Sequence, residues 1–273
     1  MEWIAGSGLK IGVFPALKAM APGLDVFITT REGGVSAAPF ESLNLGGSLG
    51  DRRENIERNR RLLLRTLAIP AGRLARTGQV HGAEIAVVHA GGHYQGFDGL
   101  LTVERDLALA ISTADCYSVI LYSPPERALA ALHVGRRGAA RGIIRRAVTL
   151  LQEDCRIDPA GAIAIIGPGI CGACYTVSKD DAAPFPRGVR RFENGRWRLD
   201  LEAFCKAELG QCGFKRRNIL AAGLCSACNP TLFFSHRRDR GITGRLWTIA
   251  VIRSDMGSPR NDAIDSISGE RYA

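Results

Sequence analysis

The sequence predicts an α/β fold whose strands are covered on both faces. The chain has 273 residues, of which 46% are hydrophobic, enough to bury a large core. Several short segments are apolar without polar alternation, which is typical of strands buried on both faces. Segments with helical periodicity lie between them. No linker-like break in composition divides the chain, so we expect a single layered domain over residues 1–253 and a polar tail over residues 254–273.

Each predicted element has a local sequence signal. Apolar and β-branched residues predict strands over residues 26–30, 85–88, 107–111, 119–121, 129–132, 162–166 and 247–252. Apolar spacing and start signals predict helices over residues 52–67, 139–151 and 201–209. Asp51 and Glu54 have the spacing of a capping box, which predicts that Asp51 caps the first helix.

The chain is basic, with a formal net charge of +9. Basic surfaces attract the phosphates of nucleic acids. Here the basic residues are mostly arginines and are dispersed, as over residues 52–65, without the interleaved aromatic residues that stack on bases. We interpret them as a solvated face and expect no nucleic-acid partner.

No segment has the roughly 18 apolar residues of a membrane helix, and the N-terminus lacks a signal-peptide pattern. We expect a cytoplasmic protein without a membrane partner, as a monomer or homodimer. Cytoplasmic thiols stay reduced, so the eight cysteines are expected to be buried, metal-binding or catalytic. Two CxxC pairs, Cys171 with Cys174 and Cys225 with Cys228, lie farther apart than in zinc ribbons, which disfavours a shared zinc site.

Three short motifs place a metal-capable side chain beside glycine or at the end of an apolar run. They are Gln79-Val80-His81-Gly82, Thr113-Ala114-Asp115-Cys116 and Leu132-His133-Val134-Gly135. Each ligand taken alone also fits an ordinary buried position. Together, His81, Cys116 and His133 would leave one coordination position open, as catalytic zinc does. The sequence therefore predicts an enzyme with Zn²⁺ as cofactor.

A series of ordered motifs between residues 25 and 252 carries a family resemblance. They are Thr30-Arg31-Glu32-Gly33-Gly34-Val35-Ser36, Ser42-Leu43-Asn44-Leu45, Asp98-Gly99-Leu100-Leu101-Thr102, Gly167-Pro168-Gly169-Ile170 and Phe234-Ser235-His236-Arg237-Arg238-Asp239, with the three motifs above. The chain resembles the laccase-domain proteins of YfiH type, also called the multicopper polyphenol oxidase or peptidoglycan-editing-factor family. Members of that family are regarded as purine nucleoside phosphorylases.

The resemblance implies a four-layer α-β-β-α arrangement with mixed sheets. It also implies that His81, Cys116 and His133 are the metal ligands, in agreement with the motif analysis. The expected substrates are inorganic phosphate and the purine nucleosides adenosine, inosine, guanosine and methylthioadenosine. Adenosine deaminase activity is a further expectation, because a metal-activated water suits attack on C6 of adenine.

Residues around the metal also have predicted roles, of which the resemblance implies those of the arginines and side-chain chemistry those of the others. Arginine binds phosphate bidentately, and the expected phosphate ligands are Arg31, Arg137 and Arg238, with structural ion pairs as the alternative. Asn44 and Gln79 would contact the purine or ribose, or else cap loops. Asp115 would shuttle a proton or orient a ligand histidine, or else cap a turn.

The chain departs from the family pattern at three positions. Arg136 stands where the family has tryptophan, which either adds affinity for anions or removes an aromatic wall from the pocket. Tyr117 replaces a proline after Cys116, and Thr176 replaces a glutamate in a Tyr-Glu-Val motif.

Other functions remain open at this point. Cys116 with His133 or His81 could form the nucleophile and base of a cysteine hydrolase acting on a cell-wall precursor. A polyphenol oxidase with copper is disfavoured, because five histidines are too few for a multicopper site. His89, His93 and His236 are then expected in loops or on the surface. A non-enzymatic purine-binding module is the last alternative.

Overall fold

A computed structural model describes residues 1–47 and 50–254. The predicted tail lies, from residue 255 onward, outside the described residues. The strands are β1 Glu2–Gly6, β2 Leu9–Val13, β3 Leu24–Thr29, β4 Leu74–Gly78, β5 Ile85–Val87, β6 Gly92–Gln95, β7 Gly99–Thr102, β8 Ala108–Thr113, β9 Tyr117–Ser123, β10 Ala128–Val134, β11 Ile163–Ile166, β12 Thr176–Val177, β13 Arg190–Glu193, β14 Arg196–Leu199, β15 Ile219–Ala221 and β16 Leu246–Ile252. The helices are α1 Leu17–Met20, α2 Arg53–Thr66, α3 Arg136–Ala140, α4 Ile143–Cys155, α5 Lys179–Ala182 and α6 Leu201–Gln211.

Two large mixed sheets form the centre of the molecule. The first has seven strands in the order β1-β2-β3-β16-β8-β4-β6, and the second has six in the order β15-β11-β9-β10-β7-β5. Strand β4 runs parallel to β6 and β8, β5 runs parallel to β7, and β11 runs parallel to β15. A small antiparallel sheet, β12-β14-β13, lies apart from them.

The layers follow from which side chains pack together. Ile28 and Leu109 of the first sheet share one core cluster with Ile120 and Leu129 of the second, so the sheets pack face to face. Helix α2 covers the outer face of the first sheet. Helices α4 and α6 cover the outer face of the second. The predicted α-β-β-α arrangement with mixed sheets is therefore confirmed.

The predicted elements are found with shifted ends. All seven predicted strands are present, and the first and third predicted helices correspond to α2 and α6. The second is split, because Gly142 adopts φ 75° and separates α3 from α4, a conformation that glycine favours. The prediction that Asp51 caps the first helix is wrong. Arg52 is the N-cap of α2, and the Asp51 carboxylate accepts hydrogen bonds from Ser36 Oγ and Asn44 Nδ2 instead.

Within residues 1–47 and 50–254, the helices are too short or too polar to span a membrane. All eight cysteines are free thiols.

Candidate metal centre and its cavity

The three predicted metal ligands come from different elements of the two sheets. His81 follows β4 in a turn, Cys116 lies between β8 and β9, and His133 is in the last part of β10. One donor atom from each of them lies within 4.8 Å of the other two. The imidazole rings of His81 and His133 meet edge to face, with centroids 4.9 Å apart. The structure therefore brings together the three residues that the sequence predicts.

The backbone around two of these ligands is in the left-handed region. His81 has φ 61° and Asp115, beside Cys116, has φ 94°, values that few residues other than glycine adopt. The segment from Gln79 to His81 is therefore not extended at His81. Such local strain clusters at functional sites.

A buried carboxylate that the sequence analysis did not select, Asp98, supports two of the ligands. Its Oδ1 accepts hydrogen bonds from His133 Nδ1 at 2.8 Å and from the His81 amide at 3.0 Å. Its Oδ2 accepts from the amides of Val80 and Gly82 at 3.1 and 2.6 Å. Asp98 thus holds the turn that carries His81 and leaves Nε2 of His133 free to bind a metal.

The charges of the site favour a thiolate beside an imidazolium when no metal is bound. Burial raises the pKa of Cys116, but the charge and hydrogen bond of His133 outweigh burial and lower it to about 6. Burial lowers the pKa of His133, but Cys116 and Asp98 outweigh it and raise the pKa to about 9. Burial also raises the pKa of Asp98, but His133 and the amides hold it below its ordinary value. A thiolate is the form in which cysteine binds a metal.

Space for an ion between the ligands depends on Gly135. A Cβ at this position would lie 2.9 Å from Cys116 Sγ and 3.2 Å from His81 Cδ2. Glycine therefore keeps the side of the cluster open. Two imidazoles, one thiolate and this open side fit a divalent metal held by three protein ligands.

Asp115 was predicted to orient a ligand histidine, but Asp98 makes the hydrogen bond to His133. The Asp115 carboxylate accepts hydrogen bonds from Ser226 Oγ and Ser235 Oγ, each at 2.7 Å, and from the Arg237 amide at 2.6 Å. It therefore ties two distant loops to the residue next to Cys116. Asp115 also lines the cavity over the metal ligands, so its predicted part in proton transfer stays a prediction.

A cavity of about 920 Å³ opens over the cluster. Seven arginines line it, namely Arg53, Arg60, Arg76, Arg136, Arg137, Arg237 and Arg245. The arginines over residues 52–65 were interpreted as a solvated face. This is corrected for Arg53 and Arg60, which line the cavity. Local sequence could not reveal this concentration, because the seven come from segments that lie far apart in the chain. An anionic ligand suits such a cavity.

The predicted substrate residues divide into two groups. Arg137 and Gln79 line the cavity, whereas Arg31, Asn44 and Arg238 do not. The Gln79 amide is bonded to the Ser112 backbone at both its nitrogen and its oxygen.

The three residues outside the cavity are held in polar contacts with the protein. Arg31 donates to the Glu41 and Pro230 carbonyls and stacks over Phe234. Asn44 is buried and accepts from the amides of Gly46 and Arg245. Arg238 pairs with Asp239 and donates to the carbonyls of Ser226 and Phe233. These contacts match the structural alternatives to substrate binding.

Several cavity residues were missed from the sequence. His93 and His236 line the cavity, and both are exposed, as expected for loop or surface positions. His93 lies on β6 with Gln95, whose Nε2 is 3.0 Å from His93 Nδ1. The side chain of Arg136, in the family's tryptophan position, forms an ion pair with Asp181. This pairing engages the charge that would otherwise be available to an anion.

The two CxxC pairs also meet, contrary to the sequence analysis. The sulfurs of Cys171, Cys174, Cys225 and Cys228 all lie within 4.8 Å of one another. Their separation along the chain is therefore no obstacle to a shared site.

Comparison with known proteins places this fold and site in a family. The family model described as multi-copper polyphenol oxidoreductase laccase matches residues 25–253. The chain belongs to this family. The match spans the fold from β3 to the end of β16 and includes all three predicted metal ligands, and it confirms the resemblance found from the sequence.

Related proteins cover most of the chain. Purine nucleoside phosphorylase YlmD of Geobacillus stearothermophilus is 38% identical over 256 residues, which cover 87% of this chain and 92% of the relative. A purine nucleoside phosphorylase of Streptomyces coelicolor is 39% identical over 225 residues, covering 80% and 91%. The YlmD crystal structure superposes with a TM-score of 0.85 at 34% identity, covering 92% of this chain and 98% of that one. The structure of YfiH from Bacillus licheniformis has a TM-score of 0.85 at 27% identity, covering 91% and 97%.

Proposed function

We propose that the protein is a zinc-dependent purine nucleoside phosphorylase acting on adenosine, inosine, guanosine and methylthioadenosine. The reaction breaks the bond between the purine nitrogen and C1′ of the sugar, forms a bond from C1′ to a phosphate oxygen, and leaves a proton on the base. The observation that carries the proposal is the position of a three-ligand metal cluster inside an arginine-lined cavity of about 920 Å³. A cavity of this size accommodates a nucleoside and phosphate, and the relatives' names support the same reaction.

Zinc is the proposed ion because of the donor set. Two imidazoles with one thiolate are common zinc ligands, and three protein ligands are typical of catalytic zinc. A metal in this position supplies Lewis-acid polarisation of the substrate or a more acidic water. Asp98 fixes the orientation of His133 and the turn of His81, so the cluster is preorganised.

Phosphate binding is assigned to Arg137 and Arg245. The Arg137 side chain is exposed, lines the cavity and makes no hydrogen bond or ion pair with the residues that the structure describes. Burial lowers the pKa of Arg245, with an opposing effect from Cys116 and Asp115, and Arg245 lines the same cavity as the predicted metal ligands. Two guanidinium groups here would neutralise a phosphate and hold it against C1′ of the nucleoside.

Binding of the purine is assigned to His93 and Gln95. Both line the cavity, and their side chains present hydrogen-bond donors and acceptors that can match the edge of a base. Gln79, which was predicted for this role, uses its amide to hold β8. The Arg237 guanidinium lies over the Tyr175 ring, 5.1 Å from its centroid, and this pair forms one wall of the proposed base site.

Two other reactions are each favoured by one observation. The fourth coordination position left by His81, Cys116 and His133 favours hydrolytic deamination of adenosine as a second activity. The Cys116 thiolate beside the His133 imidazolium is the arrangement of a cysteine hydrolase. Polyphenol oxidation has no comparable support, since His81 and His133 belong to the only histidine-containing cluster in residues 1–47 and 50–254.

The proposal is tested by incubating metal-analysed protein with each of the four nucleosides, with and without inorganic phosphate. Chromatography separates free base, sugar 1-phosphate and inosine. We expect base and sugar 1-phosphate to form only with phosphate. Base release that is independent of phosphate would contradict the phosphorylase assignment. Inosine formed from adenosine without phosphate would identify the deaminase activity.

A further inference from the structure

The two CxxC segments meet because of how two strands pair. Strands β11 and β15 are parallel neighbours, paired up to Ile166 and Ala221. One CxxC segment follows each strand at its carboxyl end, and a parallel bridge between Gly169 and Cys225 continues the pairing toward the cysteines. A separation of 54 residues along the chain thus becomes a short distance at one sheet edge.

The sulfur atoms are arranged around a common point. All four lie within 4.8 Å of one another, and those of Cys174 and Cys228 are 3.3 Å apart. In a tetrahedral zinc site with Zn–S bonds of about 2.3 Å, the sulfurs lie about 3.8 Å apart. Sulfurs this close can surround one ion. The Cys171 amide also donates to Cys225 Sγ at 3.3 Å, as backbone amides do around metal-bound thiolates.

Burial alone does not account for this cluster. Cys228 is exposed, and Cys171 and Cys174 are half-buried, so the four cysteines are not simply part of the apolar core. The Arg198 guanidinium donates to the carbonyl of Ala173, between the first two cysteines.

We propose that Cys171, Cys174, Cys225 and Cys228 bind one structural zinc ion. Four sulfur ligands complete a tetrahedral shell and leave no position for water or substrate. Sulfur ligands in this geometry select zinc or iron, and zinc is the assignment for a single ion without redox chemistry. This second site is separate from the His81, Cys116 and His133 cluster, and the inference does not rest on the proposed reaction.

The ion would stabilise the wall of the catalytic cavity. Tyr175, which lines the cavity, directly follows Cys174. Ser226, inside the second CxxC segment, donates its hydroxyl to Asp115 beside Cys116. Closing the two segments around a metal therefore fixes both loops against the residue next to the catalytic ligand.

The test compares metal content in matched variants of the full chain. Wild-type protein is expected to carry two zinc ions per chain by mass spectrometric metal analysis. The Cys174→Ser/Cys228→Ser variant should lose one, and His81→Ala should lose the other. Cys155→Ser, a cysteine outside both clusters, should keep both. One zinc per chain in wild-type protein that persists in the double serine variant would overturn the proposal.

A second measurement does not depend on folding of the cysteine variants. X-ray absorption of the His81→Ala protein should show zinc surrounded only by sulfur, at about 2.3 Å. A nitrogen-containing shell, or iron in place of zinc, would overturn the assignment. Wild-type protein denatured with a chelator should expose all eight cysteines to a thiol reagent without reduction. Four reactive thiols would show disulfides in place of a metal site.

Discussion

Replacement of Asp98 by asparagine should disrupt the metal centre, because the carboxylate accepts two hydrogen bonds at each oxygen. An amide offers only one oxygen, so one pair of donors must face an NH₂ group. If the amide nitrogen takes the Oδ2 position, the Val80 and Gly82 amides lose their acceptor. The Gly82 amide is buried, so leaving it unsatisfied would cost about 1–3 kcal/mol in the free energy of unfolding. The Val80 amide is only partly buried and adds less.

The other orientation affects the metal directly. If the amide nitrogen takes the Oδ1 position, Nδ1 of His133 must become an acceptor, and the proton moves to Nε2. A protonated Nε2 cannot bind zinc, so zinc affinity should fall by about 10–100-fold. Either orientation therefore damages the site, by lower stability or by weaker metal binding.

The assay combines urea unfolding of metal-free protein with zinc competition against a chromophoric chelator. Glu104→Gln is the matched control, because Glu104 pairs with His89 on the surface at 3.1 Å, whereas Asp98 is buried. The control should change stability by less than about 0.5 kcal/mol. An Asp98→Asn protein with wild-type stability and zinc affinity would refute the reasoning.

Three further predictions concern neighbouring residues. Gly135→Ala places a Cβ 2.9 Å from Cys116 Sγ, so zinc affinity should fall by about tenfold or more in the chelator assay; unchanged affinity would show that the ion lies elsewhere. In metal-free protein, alkylation of Cys116 by iodoacetamide should increase with pH through a midpoint of about 6. The reason is that the lowered pKa makes Cys116 a thiolate above that pH. Bound zinc should suppress the reaction, and a midpoint near the ordinary 9.0 would contradict the proposed charge pairing. Arg137→Gln should raise KM for phosphate by about tenfold or more, as loss of a hydrogen bond of about 1.5–3 kcal/mol to a charged group implies. Arg31→Gln should lower stability and leave that KM unchanged, and the reverse pattern would return phosphate binding to Arg31.

The sequence predicted the cluster of His81, Cys116 and His133 because its signals are local. Cys116 and His133 each follow an apolar run, and the structure places them at the ends of central strands. The layered fold was predicted for the same reason, since its central strands are apolar on both faces. Short exposed strands such as β6 have no such pattern and were not predicted.

Other parts of the site arise only in three dimensions. Asp98 carries no local sign that it accepts four hydrogen bonds from two other segments. The zinc-ribbon rule for CxxC pairs assumes that the pairs are close along the chain, whereas here parallel strands supply the proximity. Asp51 has the spacing of a capping box, but its Oδ2 accepts from Ser36 and Asn44 and its Oδ1 accepts from the Arg52 amide.

Zinc-dependent phosphorolysis at His81, Cys116 and His133 is tested most directly by measuring turnover against occupancy of that site. Protein stripped of metal is reloaded with increasing zinc, and phosphate-dependent release of hypoxanthine from inosine is followed with metal analysis of each sample. The rate should rise in proportion to zinc at this cluster and remain absent in His81→Ala. Turnover that does not change with zinc occupancy, or that survives in His81→Ala, would contradict the proposed function.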